Sequence, residues 1–294
     1  MGTTWSIDAY APEATPLAEW RAAAEGELDR VIAQMSHYRE DSDLCRFNRA
    51  AAGAWQLIPA GFFHVLERAL SIARETDGAF DPALGGVVNA WGFGPAVPAP
   101  QVAGRWREVA LRPETREAWQ PGGATLDLSA IAKGFAVDQL VRTTLRLGLT
   151  SFLVEIGGEL CARGVKPDGQ PWWVAVEPPA PEFPEEMLIA LCNGAVATSG
   201  DYRRFVMEGG ERLPHTMDPA TAAPARSGVA SVTVLHAEAI AADAYSTAMA
   251  VLGAGPGMAL ADRLGLAAYM IVRDDEAYRS HCSRAFQRML DDPG

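Results

Sequence analysis

Apolar positions along the chain recur at two periods, and the alternation between them predicts the order of elements. Trp5, Ile7 and Ala9 alternate with polar residues, which predicts a first strand. Leu17, Trp20, Ala24, Leu28, Val31, Ile32 and Met35 then recur at helical spacing and predict a long amphipathic helix. Val65, Leu66, Ala69, Leu70 and Ala73 predict a second, ending near Asp77-Gly78. Over residues 82–104 the periodicity gives way to Gly, Pro and aromatic residues. A long irregular stretch with large apolar residues inside a compact domain points to function. Ser129 is placed to cap a helix running to about residue 147, with Gly148 near its end. Phe152–Ile156 followed by Gly157-Gly158, and then Trp172–Val176, read as strands. Asn193-Gly194 between two apolar runs predicts a hairpin. Residues 229–235 predict another strand, 241–252 a helix stopped by Gly253, 267–272 a last strand and 276–290 a closing helix. Clustered strands flanked by helices, without regular β-α alternation, predict an α+β class with mixed β-sheets flanked by helices. No repeat or clean linker divides the chain, so residues 1–294 read as a single domain.

Charge narrows the function classes. The chain has 25 Lys plus Arg against 37 Asp plus Glu, a formal net charge of −12. That balance argues against nucleic-acid and anionic-membrane binding, which rest on clustered cations. An anionic ligand must then be held locally, by backbone dipoles, a metal or one placed cation. No apolar run is long enough to span a membrane, and no secretory leader is recognisable at the start. Cys45, Cys161, Cys192 and Cys282 form no C-x-x-C pair, which excludes a zinc knuckle and fits a reducing compartment. G-x-G-x-x-G, P-loop, H-E-x-x-H and G-x-S-x-G patterns are missing too, which disfavours the common dinucleotide, ATP, zinc-protease and hydrolase solutions.

Four segments can carry chemistry, and each has a plainer explanation. Asp127-Leu128-Ser129-Ala130-Ile131-Ala132-Lys133-Gly134 reads as a strand ending at an acid, then a helix start with unpaired amides and a lysine one turn later. That combination suits a phosphate; an ordinary strand-to-helix join with a solvated lysine explains it as well. Asp243, Ser246 and Thr247 are spaced to share one helix face and offer hard oxygen donors suited to Mg²⁺. Hydroxyls bonding back to the preceding turn are the alternative. His215, in Leu213-Pro214-His215-Thr216-Met217-Asp218-Pro219, stands where a strand breaks into a turn, a place for a general base or for a solvated histidine. Asn89-Ala90-Trp91-Gly92-Phe93-Gly94-Pro95 can set flat apolar faces beside a planar ligand, or pack under a loop.

The wording and order of these segments resemble the ApbE family, the FAD:protein FMN transferases. The matching stretches are Met1-Gly2-Thr3, Met35-Ser36-His37-Tyr38 through Ser42 to Arg46-Phe47-Asn48, Gly78-Ala79-Phe80-Asp81-Pro82 and residues 88–95. Residues 127–134, Glu155-Ile156-Gly157-Gly158-Glu159, Ala197-Thr198-Ser199-Gly200-Asp201-Tyr202, residues 215–219 and residues 242–253 continue the series. The resemblance covers nearly everything up to Gly253. It implies an ApbE-like, T-fold-related architecture and a Mg²⁺-dependent transfer of the FMN half of FAD to a Thr or Ser hydroxyl of an acceptor flavoprotein, with AMP leaving. Matched position by position, it implies Asp243, Ser246, Thr247 and the Ala130 carbonyl as metal ligands. Met1, Tyr38, Trp91, Gly92, Phe93, Asp127, Lys133 and Met217 are implied as FAD contacts, and His215 as the group that helps deprotonate the attacking hydroxyl. The same residues would serve a Mg²⁺-dependent FAD pyrophosphatase giving FMN and AMP, or a non-catalytic FAD-binding protein. Two departures stand out. The export or lipid-anchoring segment of many members has no counterpart here, so a cytoplasmic location is expected. Ala220-Thr221-Ala222-Ala223-Pro224 lacks the glycine usual in that loop.

Overall fold

The computed structural model describes residues 2–12, 16–95, 102–180, 183, 187–209, 211–274 and 277–291. The chain forms two compact units, one of Met1–Asp29, Lys133–Tyr202 and Ser227–Gly294, the other of Arg30–Ala132 and Arg203–Arg226. Met1 and residue 276 lie outside the described residues.

The first unit is built on a seven-stranded antiparallel sheet of β1 (Trp5–Ala9), β2 (Phe152–Ile156), β3 (Glu159–Arg163), β4 (Asn193–Gly200), β5 (Val229–His236), β6 (Ala267–Asp274) and β7 (Ala277–Cys282). The strands lie side by side in chain order. The β2–β3 turn is the two residues Gly157 and Gly158, at φ 62° and 103°. Two consecutive positive φ values match the twist of a tight hairpin, which explains the Gly-Gly pair. The helix Ala239–Leu252 packs on β4 and β5. Ala241, Ala242, Ala244 and Ala248 are fully buried in it, and their small side chains let it sit close to the strands. Elsewhere in this unit Val196 and Ala162 pack with Trp172, Val174, Ile189 and Leu191 of a separate two-stranded ribbon.

The second unit holds a three-stranded sheet of Ala54–Leu57, Glu117–Gln120 and Leu111–Arg112, with helices Asp43–Asn48, Ala60–Glu75 and Gly85–Ala90. Phe62, Val65, Leu66, Ala69, Leu70 and Ala73 line one side of Ala60–Glu75 and are buried, as the helical period requires. Two short ribbons, Phe205–Glu208 with Glu211–Pro214 and Met217–Asp218 with Ala223–Pro224, complete it.

The α+β class and most elements are as the periodicity predicts: the first helix is Leu17–Met35, and Ala239–Leu252 ends at Gly253. Four details differ. Asn193-Gly194 makes no hairpin turn, because both residues are inside β4 and pair with Arg163 and Ala162. The preceding strand Met187–Leu191 belongs to another sheet, so the chain crosses between sheets there rather than folding back. Residues 276–290 do not form one helix: β7 comes first and the helix is Arg284–Asp291, since residues 277–282 pair with β6 and complete the sheet edge. Residues 85–90 are helical within the stretch read as irregular. Finally, no strand runs up to Asp127: the preceding strand ends at Gln120, only an isolated bridge joins Leu84 to Thr125, and the next helix starts at Ala132. Ser129 is therefore not its cap; the Asp127 carboxylate takes the Ser129 amide instead, an Asx turn, and the helix begins two residues later than that cap would place it.

Candidate functional site

In the first unit the chemistry gathers where two helix starts meet. Gly134 is the third residue of the helix Ala132–Arg146, and a Cβ there would lie 2.2 Å from the Ala239 carbonyl oxygen and 2.8 Å from the Ile240 Cα. Only glycine lets the two backbones approach so closely. The contact presents the Gly134 N–H to Asp243 Oδ2 at 2.9 Å. Asp243 is 3% exposed. Three and four residues further along the helix, Ser246 Oγ and Thr247 Oγ1 donate back to the Asp243 carbonyl at 2.9 and 3.3 Å. Both also lie within 2.8 and 3.1 Å of Ser199 Oγ on β4. The back-bonding alternative is thus realised, but it occupies the hydroxyl protons and leaves oxygen lone pairs for a cation.

The Gly157-Gly158 turn delivers Glu159 to the same place. Glu159 is 2% exposed, one of its oxygens is ion-paired with Lys133 Nζ, and its Oε2 is buried with no hydrogen-bond partner among the described residues. Burial, then the Asp243 charge, push the Glu159 carboxyl up to about 8 against the pull of Lys133. Burial also raises the Asp243 carboxyl, opposed by Lys133 and the Gly134 amide. Two buried carboxyls therefore share one lysine, and an added cation would relieve them. The donors are a carboxylate and hydroxyls, hard oxygens that fit Mg²⁺. Among the described residues no cluster of three His, Cys, Asp or Glu offers a softer site.

The second unit carries the aromatic groups. His37 Nδ1 lies 3.1 Å from Asp127 Oδ1, which also takes the Ser129 amide at 2.8 Å. Burial lowers the His37 pKa, but the Asp127 hydrogen bond and charge outweigh it and the net shift is upward. Burial likewise works to raise Asp127, and the His37 and Ser129 bonds more than reverse it. Tyr38 is largely exposed and donates its hydroxyl to the Phe93 carbonyl at 2.9 Å, an oxygen that Arg204 also holds at 2.9 Å. Phe93 and Met217 are buried with Leu84 and Val87, and Trp91 packs against that cluster. Their side chains form a floor rather than free plates. Trp91 Nε1 donates to the Ala222 carbonyl at 3.1 Å, and Gly92 follows at φ 78°. Ala222 itself sits at φ 53°, the left-handed region where a glycine is expected. Ala130 is in the turn before the helix.

His215 follows the strand Glu211–Pro214, its ring 6.3 Å from that of Phe93 in an edge-on arrangement. His215 Nδ1 is 3.1 Å from the Arg204 carbonyl oxygen. A carbonyl only accepts, so Nδ1 carries the proton and the neutral ring has its lone pair on Nε2.

Tyr38, Trp91, Gly92, Phe93, Asp127, Ala130, His215 and Met217 thus fall in one unit and Lys133, Asp243, Ser246 and Thr247 in the other. Four residues in these networks were not singled out from the sequence: Glu159, His37, Ser199 and Arg204. The first three lie in the motif segments Gly157-Gly158-Glu159, Met35-Ser36-His37-Tyr38 and Ala197-Thr198-Ser199-Gly200-Asp201-Tyr202, which marked them without a role. Arg204 had no signal, because its importance rests on contacts distant in the chain.

A family model described as the ApbE family matches residues 1–270. The FAD:protein FMN transferase of Haemophilus influenzae is 37% identical, over 99% of this chain and 90% of its own length. That of Salmonella typhimurium is 32% identical over 99% and 87%. Among solved structures, the flavinyl transferase ApbE of Pseudomonas stutzeri in its apo form superimposes with a TM-score of 0.89 at 34% identity, covering 98% of this chain and 93% of its own. The flavin transferase ApbE of Vibrio cholerae gives 0.88 at 31% identity, covering 98% and 96%.

Proposed function

The chain belongs to the ApbE family, and on that premise we propose that it is a flavin transferase that moves the FMN moiety of FAD to a Thr or Ser hydroxyl of an acceptor flavoprotein and releases AMP. The observation that carries this reading is the buried Asp243 carboxylate, fixed by the Gly134 amide with the Ser246 and Thr247 hydroxyls on the same helix. Asp243, Thr247 and Ser246 are the donors for Mg²⁺. Bound there, the ion would neutralise diphosphate charge and the charge developing on departing AMP.

The chain's own groups do the rest. Lys133 and the helix start beside it favour the diphosphate. Tyr38, Trp91 and Gly92 offer an aromatic edge and open backbone to the planar rings, on the floor made by Phe93 and Met217. Asp127, kept ionised by His37, is an acceptor for ring or ribose donors. The acceptor hydroxyl gives its proton to His215 Nε2 as its oxygen bonds to the FMN phosphorus, and the bond to the AMP oxygen breaks.

The test is incubation with FAD, Mg²⁺ and a candidate acceptor flavoprotein, followed by a denaturing gel imaged for flavin fluorescence. A fluorescent acceptor band is the expected result. Free FMN without a labelled band would mean hydrolysis, and unchanged FAD would mean storage; either result rejects transfer.

A further inference from the structure

A second buried carboxylate answers Asp243 across the same helix pair. Glu238, at the start of Ala239–Leu252, gives no side-chain cap to that helix. Its first amides are taken instead by Asp138, which lies on the helix Ala132–Arg146 about a hundred residues earlier. Asp138 Oδ1 accepts from Ala239 N at 2.9 Å and Oδ2 from Ile240 N at 3.0 Å. Asp138 is 8% exposed. The arrangement is reciprocal. Gly134 gives its amide to Asp243 of the partner helix, and Asp138, four residues after Gly134, takes the amides four and three residues before Asp243.

Each helix thus closes the positive end of the other with a side chain one to two turns inside itself. A helix is stiff over its first turns, so a two-point grip on residues 239 and 240 sets both its axial position and its rotation. Rotation decides where Asp243, Ser246 and Thr247 point. The backbone contact at Gly134 fixes the separation, and the two carboxylates fix the register.

We propose that Asp138 is a positioning residue for the metal-binding face of Ala239–Leu252, acting through the helix start and not by touching the ion. This rests on the reading of Asp243, Ser246 and Thr247 as metal donors. The other ionisable groups facing Asp138 are Arg142 on its own helix, Glu238 before the capped helix and Cys161 on β3. Among the described residues, both the Ala239 and the Ile240 amides go to Asp138 and to none of these groups.

The experiment is titration of the protein with Mn²⁺ alone, without FAD, followed by electron paramagnetic resonance, on wild type, Asp138→Asn and a control. Asn keeps the size and one acceptor oxygen but loses the second. The control is Ser283→Ala, which removes a buried hydroxyl bonded to Ala268 and Leu266 in a part of the sheet away from this helix pair. Asp138→Asn is expected to weaken Mn²⁺ binding about 10-fold or more, the lower end of the loss that supporting groups around metal sites cause. Ser283→Ala should lower the melting temperature and leave the Mn²⁺ affinity within about twofold. Unchanged Mn²⁺ affinity in Asp138→Asn overturns the proposal whatever its melting temperature, and so does an equal loss in the control. If Asp138→Asn does not fold, Asp138→Glu, which keeps the charge and displaces it by one methylene, is judged by the same criterion. Wild type that binds no Mn²⁺ overturns the proposal together with the metal assignment. Wild type that binds Mn²⁺ but labels no acceptor refutes flavin transfer and leaves the positioning role standing or falling on the Asp138→Asn result.

Discussion

At the scale of single residues, the Arg204 carbonyl beside His215 Nδ1 fixes the tautomer and therefore the atom that can take a proton. His215→Ala is expected to bind FAD within about threefold of wild type, while transfer slows on the order of 10²–10⁴-fold. Fluorescence quenching reads the first and the gel assay the second; an unchanged transfer rate would remove His215 from the chemistry. Asp243→Ala should lose magnesium dependence and turnover together, and normal transfer by that variant would refute the metal assignment. Ala222 is a different case, because its φ of 53° costs an alanine what a glycine does not lose. Ala222→Gly is expected to stabilise the protein by about 0.5–1 kcal/mol, or to be neutral after the added unfolded-state freedom, and not to destabilise it. A lowered denaturation midpoint would show that the loop does not hold that strain. The missing glycine was visible in the sequence, but the positive φ that makes it matter was not.

At the scale of elements, the close crossing at Gly134 carries the largest expected effect. Gly134→Ala pushes a methyl group into backbone that cannot rotate away, so a loss of about 1–3 kcal/mol is expected in urea unfolding, together with weakened metal binding. The His37–Asp127 pair has a calculable pH window. The His37 pKa is raised from 6.5, so its contribution is complete below that value and is lost as pH rises through the folded value. That of Asp127 is lowered from 3.8, so its contribution is present above that value and is lost as pH falls through the folded one. The pair therefore stabilises most between about pH 4 and 6.5, and His37→Gln should flatten the decline on the alkaline side of that window. Asp138 works with the opposite sign. Burial, then repulsion from Glu238, raise it from 3.8 to about 6 against its two amide bonds and Arg142. Its ionisation thus costs stability as pH rises from about 4 to 6, on the order of 3 kcal/mol, and Asp138→Asn should remove that slope from a plot of urea midpoint against pH.

At the scale of the whole molecule, a net charge of −12 repels an anionic nucleotide at long range and leaves its capture to local dipoles and Lys133. The association rate with FAD is expected to rise as salt goes from low to physiological concentration, by a factor of about 2–5, because screening removes more repulsion than attraction. A falling rate in stopped-flow fluorescence would mean that the local positive field dominates. The sequence by itself determined the α+β class, the long helices and most of the sheet strands, because apolar period is a local property and survives in any context. Segment wording and order likewise carried the family and marked the Asp243 and His215 segments. What only the tertiary structure decided is everything that depends on which distant segment fills a valence. Asn193-Gly194, a turn by local chemistry, becomes strand because β3 offers it partners. Residues 277–282 become an edge strand because β6 is there to pair with. Asp138, Asp243 and Glu159 look like three ordinary acids in a chain rich in them, and it is burial beside helix amides and a single lysine that sets them apart. Hydrogen-bond satisfaction is a condition on the folded whole, so no window of sequence contains it.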